Sequence, residues 1–213
     1  MNEPEHYRFY EQYFEGRFQP GSSSGRAEVR SPWSGETLSM LAPAGIEDVD
    51  RAYTFAGHAQ HQWADVIPGE RAAVFGRAAR LMDTRRAEIV DWLVRESGST
   101  IQKAQIEWWA TQSSLLEAQT LPSRLEGRIL FGNYPGKESR IYRKPVGVVT
   151  VISPWNWPLH PSMRSVAPAL ALGNAVVLKP AFDTPISGGL LIAKLFEEAG
   201  LPPGVLSVLC GRQ

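Results

Sequence analysis

Residues 146–180 read VGVVTVISPWNWPLHPSMRSVAPALALGNAVVLKP, and this stretch decides the fold. Its two apolar runs, 146–152 and 175–178, are rich in Val and Ile and bounded by Pro and Gly. That is the pattern of parallel strands buried on both faces. Between them, residues 159–172 are mostly apolar or small and end at Gly173-Asn174, two residue types that tolerate the left-handed backbone just past a helix end. Strand, helix of about four turns and strand make a βαβ unit, whose crossover is nearly always right-handed. Ligands of such sheets bind at the carboxyl ends of the strands. The first strand runs there into Ser153-Pro154-Trp155-Asn156-Trp157-Pro158 and the second into Lys179-Pro180, so an Asn and a Lys reach one rim.

The pattern continues on both sides. A helix over 186–199, with Leu190, Leu191, Leu195 and Phe196 turned to the sheet, leads to a third strand at 205–209, whose far edge is expected to be apolar and open. Upstream, helical periodicity begins at Ile46, with further helices from about Gly69, over 86–97 and over 100–119. The last places Ile101, Gln105, Trp108, Gln112 and Leu115 on its inward stripe, widened by Trp109 and Leu116. Residues 123–131 and 138–144 predict a hairpin around Gly132-Asn133-Tyr134-Pro135-Gly136. Residues 1–45 form a turn-rich lead-in. Gly21-Ser22-Ser23-Ser24-Gly25 matches the letters of a hydrolase nucleophile elbow, but it lacks the strand before and the helix after, so it reads as a loop. No G-x-G-x-x-G follows the first strand, and pattern alone reaches an α/β domain with a crevice.

Composition narrows the partners. Lys plus Arg and Asp plus Glu number 22 each, so no net field favours nucleic acid or acidic lipid. A single cysteine, Cys210, excludes an internal disulfide framework and fits a reducing compartment. The N-terminus has no apolar core of a signal peptide, and no run spans a bilayer. The expectation is a cytoplasmic chain with no nucleic-acid, membrane or metal partner. His58 and His61, three apart without an acidic or cysteine neighbour, read as a solvated helix face.

Read together, PWNWPL, APALALGNAVVLKP, Thr184-Pro185 and EAGLPPGV at 198–205 resemble the aldehyde dehydrogenase superfamily, in order and spacing, over essentially the whole chain. Family members are roughly twice as long. The resemblance therefore implies the N-terminal part of a doubly wound parallel-sheet NAD(P)-binding domain, with preceding helices and a protruding β-hairpin arm, the catalytic domain being absent. Residues 1–122 would be the lead-in and helical part, 123–144 an oligomerisation arm, and 145–213 the first half of the βαβ cofactor-binding core.

By itself, an Asn before a helix is a turn or cap residue. The resemblance makes Asn156 a catalytic donor to the oxyanion of a thiohemiacetal. It sets Lys179 against cofactor ribose hydroxyls and makes Ile152, Ser153, Pro154 and Trp155 the lining of the cofactor groove. Strictly NAD-using relatives carry a glutamate three residues after the lysine; here that position is Phe182, which leaves no charge to repel NADP. NAD is the expected cofactor, with NADP admitted. Residues 164–168 and 187–189 are similar to benzaldehyde, vanillin and salicylaldehyde dehydrogenases, implying an aromatic aldehyde oxidised to its acid in a homo-oligomeric complete parent. The family's nucleophilic cysteine and general-base glutamate lie beyond this chain, and Cys210 reads as a buried, inert thiol. The chain alone is expected to be inactive. The other reading is a non-catalytic nucleotide-binding or partner-subunit module, pairing through the hairpin and the Trp108-Trp109 helix.

Overall fold

The computed structural model describes residues 9–211, so positions 1–8, where a signal peptide was judged missing, and 212–213 lie outside it. A five-stranded sheet of order β2-β1-β9-β8-β7 forms the centre. Strands β7 (Val148–Ile152), β8 (Ala175–Lys179) and β9 (Leu206–Val208) run parallel. Joined to them are β1 (Gln12–Phe14) and β2 (Arg17–Gln19), an antiparallel hairpin. Strands β3 (Ala27–Arg30) and β4 (Thr37–Leu41) make a separate two-stranded sheet. Helices α1 (Ile46–Asp65), α2 (Pro68–Thr84), α3 (Arg86–Ser97) and α4 (Ile101–Thr120) follow as the helical part, α1 packing on the strands and α2 to α4 packing against one another. This is the expected mixed α/β architecture. Among the described residues no helix is long and apolar enough to cross a membrane.

The βαβ unit forms as its sequence predicts. Helix α5 (Leu159–Ala171) connects β7 to β8, and Gly173 takes φ +87°, which ends it. Asn174 does more than stop the helix. Its Oδ1 accepts from the Val146 and Gly147 amides at 2.8 and 3.2 Å, and its Nδ2 donates to Ala169 O at 3.0 Å, tying the start of β7 to the end of α5.

Burial of the strands differs from the expectation. β8 is sealed on both faces, but β7 is not: Ile152 is 71% exposed and Thr150 is exposed. β7 pairs only with β8, so it is the sheet's edge. The edge expected at the third strand is closed instead. β1 pairs antiparallel with β9 at Tyr13 and Val208, and all three β9 residues are buried. Gln12 fastens this seam, its Nε2 donating to Ala42 O at 2.9 Å and its Oε1 accepting from Cys210 N at 2.7 Å. A partner strand placed some 200 positions away in sequence leaves no local pattern for a periodicity argument to find.

Three other expectations shift. The hairpin strands are β5 (Arg128–Phe131) and β6 (Glu138–Ile141), because residues 121–124 close α4 with a Pro-containing 3-10 turn. Every residue of both strands is exposed. On α4 the inward stripe is Ala104, Glu107, Trp108, Thr111, Leu115 and Ala118, while Ile101 and Trp109 are each 63% exposed. Consecutive helix positions point about 100° apart, so the two tryptophans cannot share a face. Trp108 is core, which removes it from any partner surface. The helix expected at 186–199 opens with a π-helical turn, Ile186–Leu190, before α6 (Leu191–Glu198). A Cβ at Gly189 would lie 2.7 Å from Val208 and 2.8 Å from Pro180, so only glycine lets this wide turn settle on β9.

Side chains of the helical part satisfy the ends of these crossover helices. Glu107 on α4 accepts from Leu159 N at 2.8 Å and His160 N at 3.2 Å. Glu96 on α3 accepts from Ile186 N at 2.8 Å, from Ser187 N at 2.6 Å and from the Ser187 hydroxyl. At the other end of α5, Trp63 donates to Leu170 O at 2.7 Å, Arg71 to Ala171 O at 3.2 Å and Gln60 to Gly173 O at 2.9 Å. Burial raises the pKa of both carboxylates, Glu96 to about 7, against the N–H bonds that favour their charged forms.

Replacing Gln12 with Leu keeps the volume but strands the Cys210 amide, while the Ala42 carbonyl keeps its bond from Gly21 N. The substitution is expected to lower unfolding free energy by about 1–3 kcal/mol, read from urea unfolding at unchanged slope. An unmoved midpoint would show that the seam does not depend on it. For Glu96 the test is pH. The folded side chain keeps its proton to about pH 7 and the unfolded one releases it near 4.5, so this group makes stability fall as pH rises between those values. Glu96→Gln is expected to flatten that fall, and equal slopes in the two proteins would refute the assignment.

Candidate functional site

Parallel pairing places the residues of interest. Ile152 and Lys179 are register partners at the carboxyl ends of β7 and β8, and Ser153 N donates to Lys179 O at 3.2 Å. The loop after β7 and the residue ending β8 therefore share one rim. Lys179 is half-buried, and among the described residues its ammonium has no side-chain partner. Ser153 is buried with an Oγ that has no protein partner among the described residues. Pro154, Trp155 and Asn156 then turn outward, with Trp155 61% exposed. The Asn156 carboxamide is exposed and makes no hydrogen bond to the described residues. Local sequence explains this. Two prolines bracket Trp155-Asn156-Trp157 and bar both strand pairing and an earlier helix start.

The loop is braced from behind. Beyond the Glu107 bonds to the first turn of α5, Lys103 lies 3.4 Å from Glu107 and donates to the Ser99 hydroxyl at 2.7 Å. Its ammonium also sits 4.9 Å from the centre of the Trp157 ring, within reach of a cation–π attraction. Ser162 Oγ lies 2.8 Å from Pro158 O and 2.7 Å from Gly188 O, joining the loop to the π-helical turn. The residues on either side of the loop, Ser153 before it and Pro158 after it, are buried, while the loop itself faces outward.

Phe182, three residues past Lys179, is half-buried and borders a cavity of about 690 Å³ formed with residues 23–28, Arg30, Pro43 and Ala44. It shares the rim's chain segment but faces this second space. Cys210 is buried, and burial pushes its thiol well above the ordinary range, with the Glu96 charge adding and the Lys179 charge opposing. It is an inert thiol, as its sequence setting implied. Burial, then the Arg164 charge, lowers the pKa of His160, and its Nδ1 has no protein partner among the described residues. Among the described residues no group of three His, Cys, Asp or Glu is arranged to hold a metal ion. The rim thus offers an ammonium, a carboxamide and backbone groups, all suited to binding polar oxygen, and no activated nucleophile.

Glu96, Lys103, Glu107 and His160 escaped the sequence reading. A signal for two of them exists. Glu96 continues the Ile89, Trp92, Leu93 stripe at i+7, and Glu107 lies beside Trp108 within a stripe that runs on to Leu115. An acidic residue on an apolar helix stripe must meet donors in the interior.

The aldehyde dehydrogenase family pattern matches residues 18–213. The chain is 48% identical over 196 residues to a vanillin dehydrogenase of Corynebacterium glutamicum, covering 92% of this chain and 40% of that protein. It is 46% identical over 187 residues to an NAD(+) benzaldehyde dehydrogenase of Pseudomonas putida, covering 88% and 38%. The crystal structure of an NAD-dependent benzaldehyde dehydrogenase from Corynebacterium glutamicum superposes with a TM-score of 0.93 at 47% identity, covering 95% of this chain and 44% of that one. The chain spans about two fifths of the length of the curated relatives it matches. With 196 of its residues matched by the family pattern and a rim of oxygen-binding donors at its strand ends, the chain belongs to the aldehyde dehydrogenase family.

Proposed function

We propose that this chain carries the cofactor rim and the oxyanion donor of an NAD(P)-dependent dehydrogenase that oxidises an aromatic aldehyde to its carboxylic acid. The observation that carries this is the register of Ile152 with Lys179, which sets the Asn156 loop and a partnerless ammonium on one rim. A dinucleotide fits there, because an ammonium with free donors can hydrogen-bond vicinal ribose hydroxyls. When bound, it supplies the hydride acceptor. Ile152, Ser153, Pro154 and Trp155 line its groove, largely through shape and backbone. NAD is the first choice, in line with the NAD-dependent benzaldehyde dehydrogenases that the chain resembles. Two relatives at 32% and 34% identity are named for NADP(+), so the alternative is kept.

Asn156 acts on the substrate. When a thiolate adds to the aldehyde carbon, the carbonyl oxygen gains charge, and a carboxamide N–H held in place stabilises it. Glu107 and Lys103 brace the residues that follow Asn156, through the Leu159 and His160 amides and the Trp157 ring. Cys210 does not supply the thiolate, since it is buried with its proton tightly held. In this reading residues 1–122, 123–144 and 145–213 divide the chain as the resemblance implies. The exposed hairpin β5–β6 serves as an oligomerisation arm in a cytoplasmic enzyme.

Joining residues 1–213 to the complementary C-terminal segment of the Corynebacterium glutamicum vanillin dehydrogenase tests the proposal. The hybrid is expected to oxidise benzaldehyde faster than short aliphatic aldehydes. In it, Asn156→Ala is expected to lower kcat by about 10²–10³ with KM little changed. Full kcat in that variant, or a preference for aliphatic aldehydes, would overturn the assignment. Residues 1–213 alone, incubated with benzaldehyde and either cofactor, are expected to produce no reduced nicotinamide. Sustained turnover would contradict the role given to Cys210.

A further inference from the structure

We infer that Arg26 is a specificity-determining residue that receives a phosphate on the 2′-oxygen of the cofactor's adenosine ribose. This rests on the reading that the ribose meets Lys179. The cavity of about 690 Å³ beside Phe182 is where such a phosphate would go. Its position is anchored to the strand ends. Ala44 N donates to Cys210 O at 2.8 Å, just past β9, and Phe182 follows Lys179 by three residues, just past β8. The loop that carries Arg26 is fixed as well. Gly21 N donates to Ala42 O at 3.2 Å, Ser22 N to the Asp48 carboxylate at 2.6 Å and Ser23 N to Pro43 O at 3.1 Å.

Charge decides what the cavity takes. Three charged residues line it: Arg26, Glu28 and Arg30. Glu28 and Arg30 form an ion pair at 2.7 Å, Arg30 also donates to Gly35 O at 3.1 Å, and Glu28 is bonded to the Thr37 hydroxyl. Those two charges cancel. Asp48, on the far side of the loop, is buried and accepts from Ser22 N and Gly45 N, with Arg51 at 3.7 Å. Arg26 is exposed and has no partner among the described residues. The cavity therefore keeps one uncompensated guanidinium, with Ser23 and Ser24 also among its lining residues. A guanidinium is the side chain best shaped for two-point binding of a phosphate. Phe182 brings no carboxylate that would oppose it.

The test compares 2′,5′-ADP with 5′-AMP, each titrated calorimetrically into the 213-residue chain and into its Arg26→Ala, Arg26→Lys and Lys179→Ala variants. The 2′-phosphorylated nucleotide is expected to bind about tenfold more tightly. Arg26→Ala is expected to bring the ratio near one, and Arg26→Lys to restore part of it. Lys179→Ala is expected to weaken both nucleotides. Binding of both with dependence on Lys179 but no preference, or a preference that survives Arg26→Ala, overturns the role of Arg26 and leaves the rim standing. If neither nucleotide binds, or if Lys179→Ala changes neither affinity, the rim reading falls and this inference falls with it.

Discussion

A helix leaves four N–H groups and four carbonyls without partners inside itself, and α5 lies too deep for solvent to satisfy all of them. Its first residue and its last two residues are buried. Side chains from the helical part take over: Glu107 at the front, and Gln60, Trp63 and Arg71 at the back. Glu96 repeats the device for the π-helical turn ahead of α6. Each contact is long-range in sequence and short in space, so the helical part and the βαβ unit cannot be separated without orphaning buried polar groups. Such groups are costly to leave bare, by about 1–3 kcal/mol each. The position of Asn156 follows from this constraint, because its loop is the only slack between an anchored strand and an anchored helix.

The same constraint explains the chemistry of the rim. The carboxyl groups behind it are already occupied by backbone N–H groups. What faces outward is the Lys179 ammonium and the Asn156 carboxamide. An oxygen-rich ligand meets donors there, with no free carboxylate among the rim residues to repel it. Cys210 adds no reactive sulfur to the rim, because burial beside β9 pushes its thiol well above the ordinary range.

Local signals were enough for some of this. The length and composition of the two apolar runs, with Gly173-Asn174 between them, told strand from helix, and the strand ends marked Asn156 and Lys179. Pattern could not say which strand is the edge, because β1 reaches β9 from the opposite end of the chain. Nor could it separate Trp108 from Trp109, since both fit an apolar helix and only the neighbouring α2 and α5 decide which is enclosed. The π-helical turn depends on Pro180 and Val208, neither of them within its own segment. Periodicity reports what one element wants to bury. It is silent about charges that are buried by agreement with another element, which is why Glu96 and Glu107 were passed over.

The seam between β1 and β9 has a consequence for biosynthesis. Gln12 and Cys210 stand 198 positions apart, and ribosomes add about 5–20 residues per second. The first hairpin is therefore synthesised roughly 10–40 s before its partner strand. For that interval Tyr13, Phe14 and Gln12, all fully or nearly buried in the finished fold, have nothing to rest against. Helices α1 to α4 can form from local contacts while the hairpin waits. The hairpin is thus translated long before it can dock, and a chaperone that shields exposed apolar segments of a nascent chain would act on these residues.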